Sequence, residues 1–148
     1  MSFNEVDWDD LYNQIDAAPN GKASMEICRK AWELADKYHY YDGQIDYRLQ
    51  YMSQSVYYDD ILEIFVVYPQ IIKLHDEHIK EHGYDENTRD ILWLYKWLLE
   101  NAQAFYQISL EQFELFCEDF KKRCIQHNYS LRAYYQFRFL FYQNIDKD

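Results

Sequence analysis

The stretch of this chain whose residue types and spacing come nearest to a reaction centre is His78-x-x-Glu81-His82. On a helix, side chains four apart share a face, so two imidazoles could chelate one zinc ion. A glutamate beside them could act as general base, in the H-x-x-E-H order of the inverted zinc hydrolases. His75 adds a third imidazole one turn earlier. Gly83 follows directly and ends the helix, and no further ligand stands at a telling distance downstream. A solvated, charged helix end therefore accounts for the stretch, with no catalytic residue, no metal and no cofactor expected. A zinc-dependent hydrolase using His78, Glu81 and His82 is the alternative. There is no glycine-rich phosphate loop and no Ser/His/Asp or Cys/His arrangement in a persuasive context.

Charge narrows the partners. With 26 acids against 15 bases the net charge is −11, the wrong sign for neutralising phosphates, so neither nucleic acid nor an anionic membrane surface is expected. No run of about 18 apolar residues is present, so no span is expected. The acidic first residues, MSFNEVDWDDLY, have no apolar signal core. Cys28, Cys117 and Cys124 form no Cys-x-x-Cys pair and fall inside helical patterns, which suggests reduced core thiols and a cytoplasmic setting.

Aromatic residues are 20% of the chain against only 3 Gly and 2 Pro, a balance that favours long helices packed by large rings. The pattern predicts seven helices. The first covers 4–17 and ends at Ala18-Pro19-Asn20-Gly21; the second opens at Ser24-x-x-Ile27 and runs to about Tyr38. Tyr41-Asp42-Gly43 reads as a break before helix three, Gln44–Val56, and Asp59 or Asp60 as the N-cap of helix four, Ile61–Glu81, kinked at Pro69. Helix five, Thr88–Ile108, has a polar stripe of Arg89, Lys96, Glu100, Gln103 and Gln107, and is apolar elsewhere. Such a helix should be covered on most sides. Ser109-x-x-Gln112 is a capping box for helix six, Leu110–Gln126. Asn128 can stop that helix in a left-handed conformation, and Ser130 caps helix seven, Leu131–Asn144.

Three helix ends share a pattern: His39-Tyr40-Tyr41, His82-Gly83-Tyr84 and His127-Asn128-Tyr129, spaced by 43 and 45 residues. A two-helix unit of that period marks an α-solenoid. The segments Leu94-Tyr95-Lys96-Trp97, Ile108-Ser109-x-x-Gln112 and Ser130-Leu131-Arg132-Ala133-x-Tyr135, with Tyr68-Pro69 and Asp76-Glu77-His78, resemble bacterial tetratricopeptide-like helical repeat proteins, mostly of unassigned function. The resemblance covers most of residues 24–140. It implies an all-α, right-handed α–α superhelix forming a single domain, with antiparallel pairs at about 4–39, 42–82 and 87–127 and a closing helix at 130–144. It implies protein contacts and transfers no catalytic residue.

The expected function is a protein-interaction module whose groove, lined by helices three, five and seven, takes a protein or acidic peptide. Arg89, Lys96 and Arg138 fall on one face when counted from the junction tyrosines, and would supply charge selectivity; Trp93 and Tyr135 would supply contact area. Helix seven carries apolar residues around most of its circumference, although a terminal solenoid helix should have a polar outer face. An exposed apolar patch is expected there, offering a homodimer surface. The chain read as a purely oligomerising fragment of a longer repeat protein is a further alternative.

Overall fold

A computed structural model describes residues 2–58, 60–104 and 108–145, and the side chains of all of these except 103, 104, 144 and 145. Asp59 as an N-cap, the side chains of Gln103 and Gln107, the 105–107 portion of helix five and the side chain of Asn144 lie outside the described residues. Among the described residues there are seven α-helices and no strand. They are α1 (Trp8–Ala17), α2 (Lys22–Lys37), α3 (Tyr41–Tyr57), α4 (Leu62–His82), α5 (Thr88–Ala104), α6 (Leu110–Gln126) and α7 (Arg132–Ile145), preceded by a 3-10 turn at Phe3–Glu5. The all-α class is as expected. The chain divides into two compact units, Met1–Gly83 and Tyr84–Asp148.

In the first unit α3 is the buried element. Ile45, Tyr47, Tyr51 and Met52 are each 1% exposed or less. Arg48 and Gln44 are buried with them, which the polar look of this helix conceals. Arg48 explains how. Its guanidinium donates to both Asp36 oxygens on α2, at 2.7 and 2.9 Å, and to Gln70 Oε1 on α4 at 3.1 Å, while lying over the Trp32 ring. Gln44 donates to the same carboxylate at 3.0 Å. Partial burial alone would raise the pKa of Asp36, but the hydrogen bonds from Arg48 and Gln44 and the guanidinium charge outweigh it and hold the carboxyl below its ordinary value.

Tyr41-Asp42-Gly43 is not a break; it is the first turn of α3. Gly43 is buried there for close packing against α2, since a Cβ would stand 2.8 Å from Tyr40 Cδ2 and 3.1 Å from Ala35 Cβ. Two more expected boundaries shift. Ser24 lies buried inside α2, which starts at Lys22 with Gly21 as its N-cap. Ile61, not Asp60, occupies the N-cap position of α4, and Asp60 contributes its backbone carbonyl to Glu63. α4 runs through Pro69 as one helix.

The three even-numbered helices α2, α4 and α6 end alike, each with a left-handed residue followed by tyrosine: His39 (φ 52°), Gly83 (φ 75°) and Asn128 (φ 55°). At α2 and α6 the tyrosine N–H reaches back to the helix, from Tyr40 to Ala35 O at 2.9 Å and from Tyr129 to Cys124 O at 2.8 Å, satisfying a carbonyl that the helix leaves open. His39 thus corresponds to Gly83 and Asn128 rather than to His82 and His127. The expected histidine alignment is off by one residue at the first junction, because backbone conformation and not the imidazole is the shared feature.

In the second unit α5, α6 and α7 all touch one another. The capping box of α6 forms as expected, with Gln112 N–H to Ser109 Oγ at 3.1 Å and the return bond at 3.0 Å. Ser130 Oγ accepts from Arg132 N–H at 3.2 Å at the start of α7. The buried α5 residues Ile91, Leu92, Tyr95, Leu98, Leu99 and Ala102 fall on one arc of the helix. Trp93, at 48% exposed, stands outside that arc, so α5 is covered on one broad face rather than on most sides. Indole rings tolerate half-burial, which is why counting them as core overstated the coverage.

Cys28, Cys117 and Cys124 are free and fully buried. Burial raises their thiols to about 11, 12 and 11 respectively. Glu114 is held below its ordinary value, first by the Tyr142 hydroxyl, against a smaller desolvation effect, and then by Arg138.

Two outcomes follow for stability. Gly43→Ala gains helix propensity of about 1 kcal/mol but overpacks the α2–α3 contact at a cost of about 1–3 kcal/mol. A net loss of about 1 kcal/mol should appear as a lower urea midpoint at unchanged slope. Stability should also fall on both sides of neutrality. The depressed carboxyls Asp36 and Glu114 make the folded state bind fewer protons than the unfolded state in acid, so their contribution, present above their unfolded values, is lost as pH falls. The raised thiols keep their protons in the folded state after the unfolded chain has lost them, so stability declines above the unfolded thiol value of 9.0. Urea midpoints at about pH 4, 7 and 10 check this, the middle one being the highest.

Candidate functional site

Ser130, just before α7, and the Lys96 position of α5 shape a cleft of about 200 Å3 in the second unit. Its walls include Lys96, Tyr129, Ser130, Arg132, Gln136 and Phe137. The Tyr129 backbone is set by the α6 helix end, and its ring lies 5.5 Å from the Lys96 ammonium. The cation therefore lies over an aromatic face, the geometry of a cation–π contact. Lys96 and Arg132 pair with no carboxylate among the described residues. In a chain of net charge −11, this cleft carries two cations and an aromatic wall.

Arg89 and Trp93 continue from Lys96 along one side of α5. Arg89 is exposed, and Trp93 presents nearly half its surface while its ring meets Trp97 edge-on at 5.5 Å. The structure thus keeps Arg89, Trp93 and Lys96 in one row. Arg138 does not join them. It turns toward α6, where it meets Glu114 at 2.6 Å and Glu118 at 3.4 Å and lies over the Tyr134 and Tyr142 rings. Tyr142 also donates to Glu114, and Tyr134 to Glu118 at 3.0 Å. Periodicity placed Arg138 on the same wheel position as Lys96, but the row of acids on α6 decides which way it faces.

Tyr135 lies outside the cleft, 60% exposed, with its ring edge-on to Tyr134 at 5.0 Å. Phe139 and Leu140, at 63 and 39% exposed, are further apolar side chains left open on α7. The other side of α7 is packed: Tyr134 is buried, and Phe141 stacks on Phe113 at 3.9 Å. Arg132 and Tyr129 were absent from the expected contact residues. The available signal was position: both flank the capping Ser130, where a helix start brings neighbouring side chains beside the preceding helix end.

In the first unit, His78, Glu81 and His82 occupy the last two turns of α4 and border a cleft of about 450 Å3. His39, Tyr41, Gln44, Leu74 and Glu77 complete its walls. His75, by contrast, is 2% exposed and belongs to the core. Among the described residues no three side chains of His, Cys, Asp or Glu stand together in a ready geometry for a metal ion. Among the same residues no helix is long and apolar enough to cross a membrane.

Arg138→Gln removes a partly buried pair that links α7 to α6 and should lower stability by about 1–2 kcal/mol. Lys96→Gln, which breaks no ion pair, should stay within about 0.5 kcal/mol of the parent. Urea unfolding of the two variants checks the difference in role.

Comparison of the chain with family models, with curated proteins and with solved structures found no match.

Proposed function

We propose that this chain is a protein-interaction module that holds an acidic peptide segment or a carboxylate terminus against the α5–α7 face of its second unit. The observation that carries the reading is the pair of cations, Lys96 and Arg132, beside an aromatic wall in an otherwise acidic protein. Arg132 offers a planar fork to a carboxylate, and Lys96 a positive charge held against a ring. Arg89 and Trp93 extend the contact along α5, where a half-exposed indole can anchor a partner's apolar side chain. Arg138 acts within the unit by ordering α7, and Tyr135 belongs to the neighbouring apolar surface.

The chain is read as a tetratricopeptide-like array of bacterial type. Left-handed helix ends at 39, 83 and 128, 44 and 45 residues apart, support that reading. Its free, buried thiols favour a reducing compartment such as the cytoplasm. The exposed aromatic side of α7 favours self-association as a second reading.

Fluorescence anisotropy with labelled glutamate-rich peptides, ending in a free carboxylate or an amide, tests the main proposal. Binding by the parent chain should weaken at least about tenfold in Lys96→Glu/Arg132→Glu and should fall with added salt. Equal binding by parent and variant, or none by the parent, rejects the charged cleft. Concentration-dependent light scattering abolished by Phe139→Glu would favour the α7 reading.

A further inference from the structure

We propose that the cleft bordered by the α2–α3 turn and the last turns of α4 takes one divalent transition-metal ion, with His78 and His82 as its chelating pair. This site lies in the first unit and is independent of the peptide-binding reading.

The two imidazoles stand four residues apart on one helix, with ring centroids 4.5 Å apart. Two imidazoles on one ion, at roughly 2.0–2.1 Å from metal to nitrogen, place their centroids roughly 4.5–5.2 Å apart for bond angles of about 90–109°. The observed spacing sits at the near end of that range, so the separation of the two rings is compatible with a shared ion. Tyr41 further constrains it. Its ring lies flat on His78 at 3.8 Å and 6° between planes. Face-to-face stacking restrains the imidazole plane but leaves its edge, where both nitrogens lie, open to a ligand. A donor restrained in this way loses less side-chain entropy on coordination.

The third donor is Glu81. Its carboxylate is 3.9 Å from His82 Nε2, on a side chain that is 78% exposed. Two ligand atoms on a tetrahedral ion lie roughly 3.4 Å apart. Among the described residues no three-donor group stands ready, so the exposed Glu81 side chain has to move by about half an ångström toward His82 to complete one. Water completes the coordination. Glu77 on the same wall makes the cleft favourable to a cation, and the imidazole pair selects for zinc, nickel or copper over magnesium. The reading assigns ion binding and no hydrolysis. Its structural consequence would be to tie down the end of α4 beside the α2–α3 turn.

The test is calorimetric titration of the tag-free, chelator-treated full chain with Zn2+ and with Mg2+, alongside the imidazole resonances in NMR. One Zn2+ should bind per chain and shift the His78 and His82 signals, and Mg2+ should produce neither effect. His78→Gln and His82→Gln should each weaken zinc binding at least tenfold, with helicity retained because neither residue is buried. His127→Gln, in the other unit, should bind as the parent does. Any of three results overturns the proposal: no zinc binding by the parent, unchanged binding by the His78→Gln/His82→Gln double variant, or equal binding of Mg2+, which would make the cleft only an acidic surface.

Discussion

Tyrosines at the helix contacts aim their hydroxyls at carboxylates, and much of this protein is arranged around that pairing, although the buried Tyr47 hydroxyl has no such partner. Five tyrosines donate to carboxylates on a different helix: Tyr12 to Asp46, Tyr51 to Glu63, Tyr95 to Asp119, Tyr134 to Glu118 and Tyr142 to Glu114. They join α1 to α3, α3 to α4, α5 to α6 and α7 to α6. Each ring supplies apolar area to the interface, and each hydroxyl restricts how the two helices can slide, since a lost partner would leave a polar group unsatisfied. The acidic excess of the chain therefore has an internal role as well as a solvating one. Several of its carboxylates are the acceptors that make a tyrosine-rich interior workable.

Arginines complete this arrangement by balancing carboxylates that would otherwise sit unneutralised near the core. Arg48 does so for Asp36, Arg123 for Asp119 and Arg138 for Glu114. The Asp119 carboxylate accepts from Tyr95 at 2.7 Å and from Arg123 at 2.8 Å, and Glu114 likewise serves a tyrosine and an arginine. Such shared acceptors couple helix pairs through one group, so losing a single carboxylate would free two donors. Arg48 goes furthest, because it crosses from α3 to both α2 and α4 while almost wholly enclosed.

What the interior leaves over defines the surface. In the second unit Arg123 and Arg138 are paired with acids of α6, whereas Lys96 and Arg132 of the α5–α7 cleft meet no carboxylate among the described residues. In the first unit the three histidines outside the core, His39 after α2 and His78 and His82 on α4, border one cleft together with Glu77 and Glu81. The two clefts thus differ in lining, one bordered by the cations Lys96 and Arg132 and the other by carboxylates and imidazoles. Each is built at a helix end, where backbone geometry holds neighbouring side chains together.

Composition and helical spacing by themselves determined the all-α class and the local chemistry of several helix ends. The Ser109/Gln112 capping box, the left-handed Gly83 and Asn128 and the single α4 beyond Pro69 all depend on residues close in the chain, so they are legible there. Exposure of α7's outer side was legible too, because no one-sided packing can cover a helix that is apolar all round. Tertiary structure alone decided the burial of Arg48 and Gln44, the packing role of Gly43 and the outward position of Trp93. It also separated Arg138 from Lys96 and brought Arg132 and Tyr129 to the cleft. The physical reason is common to these cases: a helical wheel gives the direction of a side chain from its own axis, whereas its partner belongs to another helix. Whether an arginine faces solvent or a carboxylate is settled only when the two helices meet.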